Sequence, residues 1–513
     1  MSGPFTSILF ENSGDRECAQ QASVPACFAD LNLDQIVDSV TADWAEYDLK
    51  PFFYFPLSRV EAVGYRHQVM RDLDNAGLRS CLADFSGSMR AIRACRTQAL
   101  KLHYALQKES WHLQAVGLYC QAVRELTHGL QTLPLRSRGF LALRDYLSAY
   151  TGSPRFRALD AETTELQANI TAIHYCVLID GSSFTVRDYR GENDYSAEVD
   201  DTFAKFKQGD ARDYRVKFPA AHEMNHIEAK ILEFVVKLYP AVFAALHDYC
   251  LKTNDFGDAT IATLDREVQF YAAYRAYIDV LASGGLPFCY PRISERAAEI
   301  WAEDGFDLAL ARKLHGQSIP IVCNDFALRG PERILVVSGP NQGGKTTFAR
   351  MVGQLHYLAA LGCPVPAREA QLLLFDGLFT HFEKEEKVEN LRGKLEDDLV
   401  RIHDILRPAT ARSIIILNEI FTSTTIEDET FLSRKMMETI IQMNALCVWV
   451  TFIEELASCG RQTVSMVSTI VPDNPAVRTF KVRRRPADGL AYAMAIAEKY
   501  GLTYDAIKQR IGS

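Results

Sequence analysis

The sequence predicts an α/β P-loop NTPase domain of mostly parallel sheet at the C-terminal end, preceded by a mainly α-helical domain with a small β element. Three observations predict this. From about Pro320 onward strand and helix patterns alternate, as in a parallel sheet with crossover helices. From Pro56 to about Tyr150 apolar residues recur at helical spacing. Gly339 through Thr346 fits G-x-x-x-x-G-K-S/T, and it lies between the apolar run Arg333-Ile334-Leu335-Val336-Val337 and a helical pattern from Phe348 to Val352.

The elements follow in chain order. Residues 1–45 are mixed and low in periodicity, so they are expected to form an extended N-terminal segment. A helical core or lever domain is expected over 46–315. Its helix faces are marked by Val60, Val63, His67 and Met70, then by Leu100, Tyr104, Trp111 and Ala115. Within it, Ile173 to Ile179, the turn Asp180-Gly181-Ser182-Ser183 and Phe184-Thr185-Val186 read as a β-hairpin, in an insert around 168–220. A long helix is expected after Pro219, with Ile227, Ile231, Phe234 and Leu238 on one face. Helix continues to about Leu281, where Gly284-Gly285-Leu286-Pro287 breaks it. The α/β domain takes 316–513. The expected architecture is a helical arm that goes out, carries a β element near its tip and returns.

Composition narrows the function classes. The chain has 513 residues, 48% hydrophobic and 24% charged, the profile of an ordinary globular protein. No apolar run reaches the ~18 residues of a membrane span. The start, Met1-Ser2-Gly3-Pro4-Phe5, shows no signal-peptide pattern. Twelve scattered cysteines without a C-x-x-C pair suit reduced thiols and a cytoplasmic location. A net charge of −9 argues against a chain-wide nucleic-acid coat and leaves room for a local basic groove.

The glycine-rich stretch carries the clearest chemistry. Its glycines allow backbone N–H groups to turn toward phosphate oxygens where side chains would block them. The helix that follows adds its positive N-terminal end. Lys345 is expected to reach the β- and γ-phosphates, and the Thr346 hydroxyl to hold Mg²⁺. A second acidic strand is expected beside it, and Ile414-Ile415-Ile416-Leu417-Asn418-Glu419 supplies one. Asn418 stands at the metal-side position. Its amide offers a carbonyl oxygen without charge, so it should hold Mg²⁺ more weakly than a carboxylate. Glu419 is the expected general base.

Gly339-Pro340-Asn341-Gln342-Gly343-Gly344-Lys345-Thr346-Thr347 resembles the loop of the MutS mismatch-repair ATPases, whose usual form is G-P-N-M-G-G-K-S-T. Val365-Pro366-Ala367, Asp376-Gly377-Leu378-Phe379-Thr380, Leu417-Asn418-Glu419-Ile420 and Arg485 to Ala493 resemble further family motifs. The resemblance is strongest over about 320–510 and is readable back to Pro56. It implies an ABC-type ATPase fold using ATP and Mg²⁺, a homodimer with nucleotide at a composite interface, and lever arms with a reduced clamp near 170–190 that embrace DNA. It also implies nucleotide contacts along 339–347 and an adenine wall at Ile321, with Asn324 matching a family Asn.

The sequence departs from the family in several places. It resembles a short form without the N-terminal mismatch-reading domain, and the one Phe-x-Glu, Phe452-Ile453-Glu454, falls inside the ATPase domain. By the same resemblance, the family's extra C-terminal dimerisation helices are not expected within these 513 residues. Where the family reaches across the dimer with a Ser, this chain has Gly393. The adjacent Lys394 is either a cation supplied in trans or a surface lysine. The family's switch His is replaced by Phe452, and its adenine-stacking Phe by Ile321. A phenyl ring cannot sense a phosphate by hydrogen bonding.

His222-Glu223-Met224-Asn225-His226 matches the zinc-protease pattern H-E-x-x-H, or is simply polarity at a helix start. Lys205, Lys207, Arg212, Arg215 and Lys217 are a phosphate-contacting cluster or a solvated loop diluted by Asp201, Asp210 and Asp213. Arg90, Arg93 and Arg96 share a helix face and track a nucleic-acid backbone or face solvent. The expectation is a MutS-like ATPase that binds DNA as a dimer without reading mismatches. The alternatives are an ATP-binding switch or clamp with little hydrolysis and, as a minor reading, a zinc hydrolase at His222–His226.

Overall fold

Side-chain caps fix many of the helix starts. Asn12, Asn75, Ser153, Asn225, Asp307 and Thr425 each accept a backbone N–H from the first turn of the helix that follows. The computed structural model describes residues 5–181, 183–192, 224–296, 299–317, 319–383, 393–471, 474–486 and 507–508.

In chain order the first helices are α1 (Ser13–Gln20), α2 (Leu33–Thr41), α3 (Lys50–Tyr54), α4 (Val60–Asp72), α5 (Ala76–Lys101), α6 (Ala105–Thr132), α7 (Arg138–Thr151) and α8 (Pro154–Thr171). The hairpin strands β1 (Tyr175–Asp180) and β2 (Ser183–Asp188) follow, then α9 (His226–Leu238), α10 (Pro240–Lys252) and α11 (Ala259–Ser283). Next come β3 (Arg292–Ser294), β4 (Glu299–Gly305), α12 (Leu308–Leu314), β5 (Asn324–Arg329), β6 (Ile334–Ser338), α13 (Lys345–Ala360), β7 (Glu369–Leu373) and β8 (Leu378–Phe382). The chain continues with α14 (Lys394–Leu406), β9 (Ile414–Asn418), α15 (Ile426–Met443), β10 (Leu446–Val450), β11 (Thr463–Val471) and β12 (Asn474–Arg484). No helix among the described residues is long and apolar enough to cross a membrane.

The structure divides into two units. The first comprises Phe5, residues 73–135 and the described part of 140–265. Its centre is α5 packed on α6. Leu78, Leu82, Phe85, Met89 and Ile92 are buried on α5, and Leu113, Val116, Cys120, Val123 and Leu130 on α6. With the buried Thr127 between Val123 and Leu130, their spacings alternate between three and four residues, as in a coiled-coil seam. Leu100 and Tyr104, expected on a buried face, are exposed. The chain leaves the helical path at Leu102, so the expected face ends there.

β1 and β2 pair antiparallel in the expected hairpin, from Tyr175 opposite Asp188 to Asp180 opposite Ser183. Phe184 meets Phe234 edge-on at 6.0 Å, joining the hairpin to α9. The described part of α9 starts at a capping box between Asn225 and Glu228. The expected start after Pro219 lies outside the described residues. Of its expected apolar face, Ile227 is exposed and Ile231 and Phe234 are half-buried. Pro240 starts a separate helix, because it can sit at a helix start but not inside one.

The second unit comprises residues 6–72, 136–139 and the described part of 266–513. Its six-stranded sheet runs β12-β11-β6-β10-β9-β8. All neighbours are parallel except β11 and β12. β6, β9 and β10 are buried along their whole length, as strands covered on both faces must be. A four-stranded sheet, β3-β7-β4-β5, completes the unit.

The N-terminal residues differ from the expected extended segment. They contain α1 and α2, and Ile8, Leu9, Phe10, Phe28 and Leu31 are buried. Apolar surface decides this. Leu33, Ile36, Val37 and Val40 form one buried face of α2. Leu31 packs so closely on Gly353 of α13 that a Cβ there would come within 2.7 Å of its side chain.

Glu267 anchors the N-terminal residues from α11. Its carboxylate accepts from Ser7 Oγ at 2.7 Å and from the Ile8 N–H at 3.0 Å. Burial pushes its carboxyl up from 4.5 to about 7, against these hydrogen bonds, which act to lower it. The folded value lies above the unfolded one, so this group's contribution is complete below the ordinary carboxylate range and is lost as pH rises toward about 7. Wild type should lose about 2 kcal/mol of stability between about pH 5.5 and 7.5 that Glu267→Gln does not lose. Denaturant unfolding of both proteins at the two pH values checks this. Parallel changes would show that Glu267 does not titrate there.

Candidate functional site

β6 ends at the buried Ser338, and the loop Gly339–Gly344 leads directly into α13. The loop needs its glycines. Gly339 and Gly344 have φ of 118° and 91°, where a side chain is strained. A Cβ on Gly343 would come within 2.3 Å of Ser468 Oγ. Ser468, buried on β11, donates from Oγ to the Gly343 carbonyl at 2.6 Å and braces the loop from beneath. No side chain caps the N-terminus of α13. Its first-turn N–H groups are therefore suited to an anion.

Lys345 opens α13 and is buried. Its Nζ donates to the carbonyls of Gly339 at 3.0 Å and Pro340 at 3.3 Å, and lies 3.5 Å from Asn341 Oδ1. Glu419 Oε1 is 3.7 Å from the same nitrogen. Burial pushes the ammonium below its ordinary value, and the Glu419 charge works against that shift. The Phe452 ring also stands on Nζ, with its centroid 4.3 Å away.

Thr346 Oγ1 donates to Asn418 Oδ1 at 2.8 Å. Parallel pairing at the ends of β8, β9 and β10 holds Asn418 level with Phe382 and Val450. Glu419, the next residue, has φ 52°, and its N–H donates to the Val450 carbonyl at 3.0 Å. This left-handed backbone turns the carboxylate off the strand end toward Lys345, a strained conformation of the kind found at functional sites.

Lys345, Thr346 and Glu419 line a cleft of about 690 Å³. Leu310 and Leu314 of α12, Ile319, Ile321 and Phe480 give it an apolar lining. Ile321, the expected adenine wall, is among the cleft-lining residues. Asn324 also lines the cleft, but its amide is engaged by the backbone of β12. Nδ2 donates to the Phe480 carbonyl at 3.2 Å, and Oδ1 accepts from the Val482 N–H at 2.7 Å. Phe480, half-exposed with φ 57°, is the aromatic of this lining.

Gly393 and Lys394 are not among the cleft-lining residues. Gly393 caps α14 with open space around its Cα, and Lys394 pairs with Glu383, which also accepts from Thr422. Sequence reasoning missed Ser468, Phe480 and Arg478, whose Nε donates to the Asn341 carbonyl at 3.2 Å. They sit on β11 and β12, far down the chain, with no local motif to mark them.

His222, Glu223 and the cluster Lys205, Lys207, Arg212, Arg215 and Lys217 lie outside the described residues, as do residues 487–493. His226 is exposed. Arg93 pairs with the buried Asp265, and Arg96 lies over the Phe256 ring at 5.9 Å, so both are engaged within the first unit.

Comparison with known proteins agrees with this geometry. The profile of MutS domain V matches residues 335–509. The DNA mismatch repair protein MutS of Chlorobaculum tepidum is 24% identical over 521 residues, covering 93% of this chain and 57% of that protein. The DNA mismatch repair protein MSH3 of Yarrowia lipolytica is 25% identical over 272 residues, covering 50% of this chain and 27% of its own. MSH3 of Eremothecium gossypii reaches 31% over 138 residues, 27% of this chain and 13% of that one. The chain thus spans little more than half the length of the MutS relatives it matches. With domain V matched over the glycine loop and the strands that face it, and with MutS relatives matching along most of its length, the chain is similar to the MutS family.

Proposed function

We propose that this protein binds ATP with Mg²⁺ in the cleft between the glycine loop and β9, hydrolyses it, and couples the nucleotide cycle to DNA as a homodimer. One observation carries the nucleotide reading: Lys345, Thr346 and Glu419 line one cleft together with the glycine loop and the apolar side chains Leu310, Leu314, Ile321 and Phe480. A nucleotide fits with its base between Ile321 and Phe480, its phosphates along Gly339–Thr347 and its terminal phosphate toward Glu419. Lys345 neutralises phosphate charge, and Glu419 orients the attacking water. The donor set suits a metal: Thr346 and Asn418 already share a hydrogen bond and would hold Mg²⁺ through two neutral oxygens. Lys394 is the candidate for a cation supplied across a dimer.

The DNA reading is carried by the relatives, which are named for DNA mismatch repair. The second reading, a nucleotide switch with little hydrolysis, is favoured by the amide at Asn418 and the ring at Phe452. Calorimetric titration with ATP and Mg²⁺ tests the nucleotide reading. Wild type should bind at one site per chain, and Lys345→Ala should weaken binding by about tenfold or more, the loss of one charge-assisted phosphate contact. Equal binding by both would overturn the assignment. Titration with duplex, branched and mismatched DNA at two salt concentrations tests the DNA reading, which fails if none binds at low salt.

A further inference from the structure

We infer that Phe452 acts through Lys345 to set the preference between nucleoside diphosphate and triphosphate, favouring the diphosphate. This rests on the nucleotide reading above and deepens it. The observation is the crowding of one ammonium. Lys345 Nζ has the Gly339 and Pro340 carbonyls and the Asn341 amide oxygen on its loop side. Glu419 Oε1 at 3.7 Å and the Phe452 ring at 4.3 Å also face it. A lysine ammonium has three N–H donors, so the loop oxygens already accept all three. The aromatic face holds the charge on a further side.

Phe452 is placed for this by the sheet. It follows β10 by two residues as Glu419 follows β9 by one, and the two strands are parallel neighbours. Thr451 fixes the turn, its Oγ1 accepting from the Ile453 N–H at 3.0 Å. The ring is 48% exposed, so an apolar side chain is held in water against the site rather than buried in the core. Lys345 and Glu419 line the cleft, and Phe452, which does not line it, faces the same ammonium at 4.3 Å, so a terminal phosphate drawn to Lys345 and Glu419 competes with the ring for that ammonium. A γ-phosphate has to draw the ammonium off the ring. The β-phosphate, present in both nucleotides, is reached by Lys345 from the glycine loop without that displacement.

The test is calorimetric titration of the full chain with ADP and with the non-hydrolysable triphosphate AMPPNP, each with Mg²⁺. Wild type should bind ADP more tightly. Phe452→Ala should tighten AMPPNP between about twofold and thirtyfold while moving ADP by less than about twofold. Phe452→Leu keeps the apolar bulk without the π face and should shift the ratio in the same direction. Phe452→Trp strengthens the cation–π contact and should shift it the other way. The side chain is exposed, so all three variants should retain the wild-type unfolding midpoint. A ratio unchanged across the series would overturn the role of Phe452 and leave the nucleotide reading standing. Failure of wild type to bind either nucleotide would overturn the nucleotide reading and this inference with it.

Discussion

Glu419→Gln is expected to lower ATP turnover by about a hundredfold or more, the usual weight of a positioned general base, while nucleotide affinity stays within a fewfold of wild type. The side chain keeps its length, so the left-handed backbone at φ 52° and the hydrogen bond from its N–H to Val450 are preserved. Only the negative charge disappears. That charge faces Lys345 at 3.7 Å and offsets part of the cost of burying the ammonium. Its removal leaves Lys345 with less compensation in the free protein, so binding of a polyanionic nucleotide should hold or tighten while chemistry fails. Single-turnover hydrolysis beside a binding titration separates the two effects. Equal turnover in wild type and variant would defeat the assignment of Glu419 as base.

Gln354→Leu is expected to cost the second unit about 3–6 kcal/mol, the sum for three buried polar groups that lose a partner. The Gln354 side chain is fully buried on α13. Its Oε1 accepts from the Leu308 N–H at 2.8 Å, and its Nε2 donates to the Leu31 carbonyl and Asp307 Oδ1, both at 2.9 Å. One amide thus joins the helix after the glycine loop, the N-terminal residues and the start of α12. Leucine matches its volume but satisfies none of these groups. The Asp307 carboxylate, which also caps α12 through the Leu310 N–H, is already pushed above its ordinary range by burial and would lose a donor that opposes this. Leu310 and Leu314 line the cleft, so ATP affinity should fall along with stability. Denaturant unfolding and an ATP titration check both. An unchanged midpoint would contradict the described bonding of Gln354.

Several features were legible because they are local. The hairpin of β1 and β2 follows from alternating apolar residues around a glycine turn, and the helical character of 56–150 from apolar residues at helical spacing. α2 is local as well, yet the N-terminal residues read as an extended segment. Leu33, Ile36, Val37 and Val40 repeat at helical spacing, but in a short stretch inside a polar region, and that masked the signal. The close packing of Leu31 on Gly353 had no signal, since neither residue shows its partner in its own neighbourhood. Leu100 and Tyr104 fail in the opposite direction: periodicity marks a face, but both side chains are exposed.

The sequence by itself determined the loop Gly339–Thr347. A phosphate cradle is a contiguous piece of backbone, and its glycines, its lysine and the helix it starts are neighbours in the chain. Tertiary structure decided what faces the cradle. Thr346 meets Asn418 across 72 positions and Ser468 braces Gly343 across 125. Parallel strands joined by crossovers bring their C-terminal ends side by side however far apart they lie in sequence. That geometry sets Glu419 and Phe452 on either side of one ammonium, and no local pattern in the chain records it.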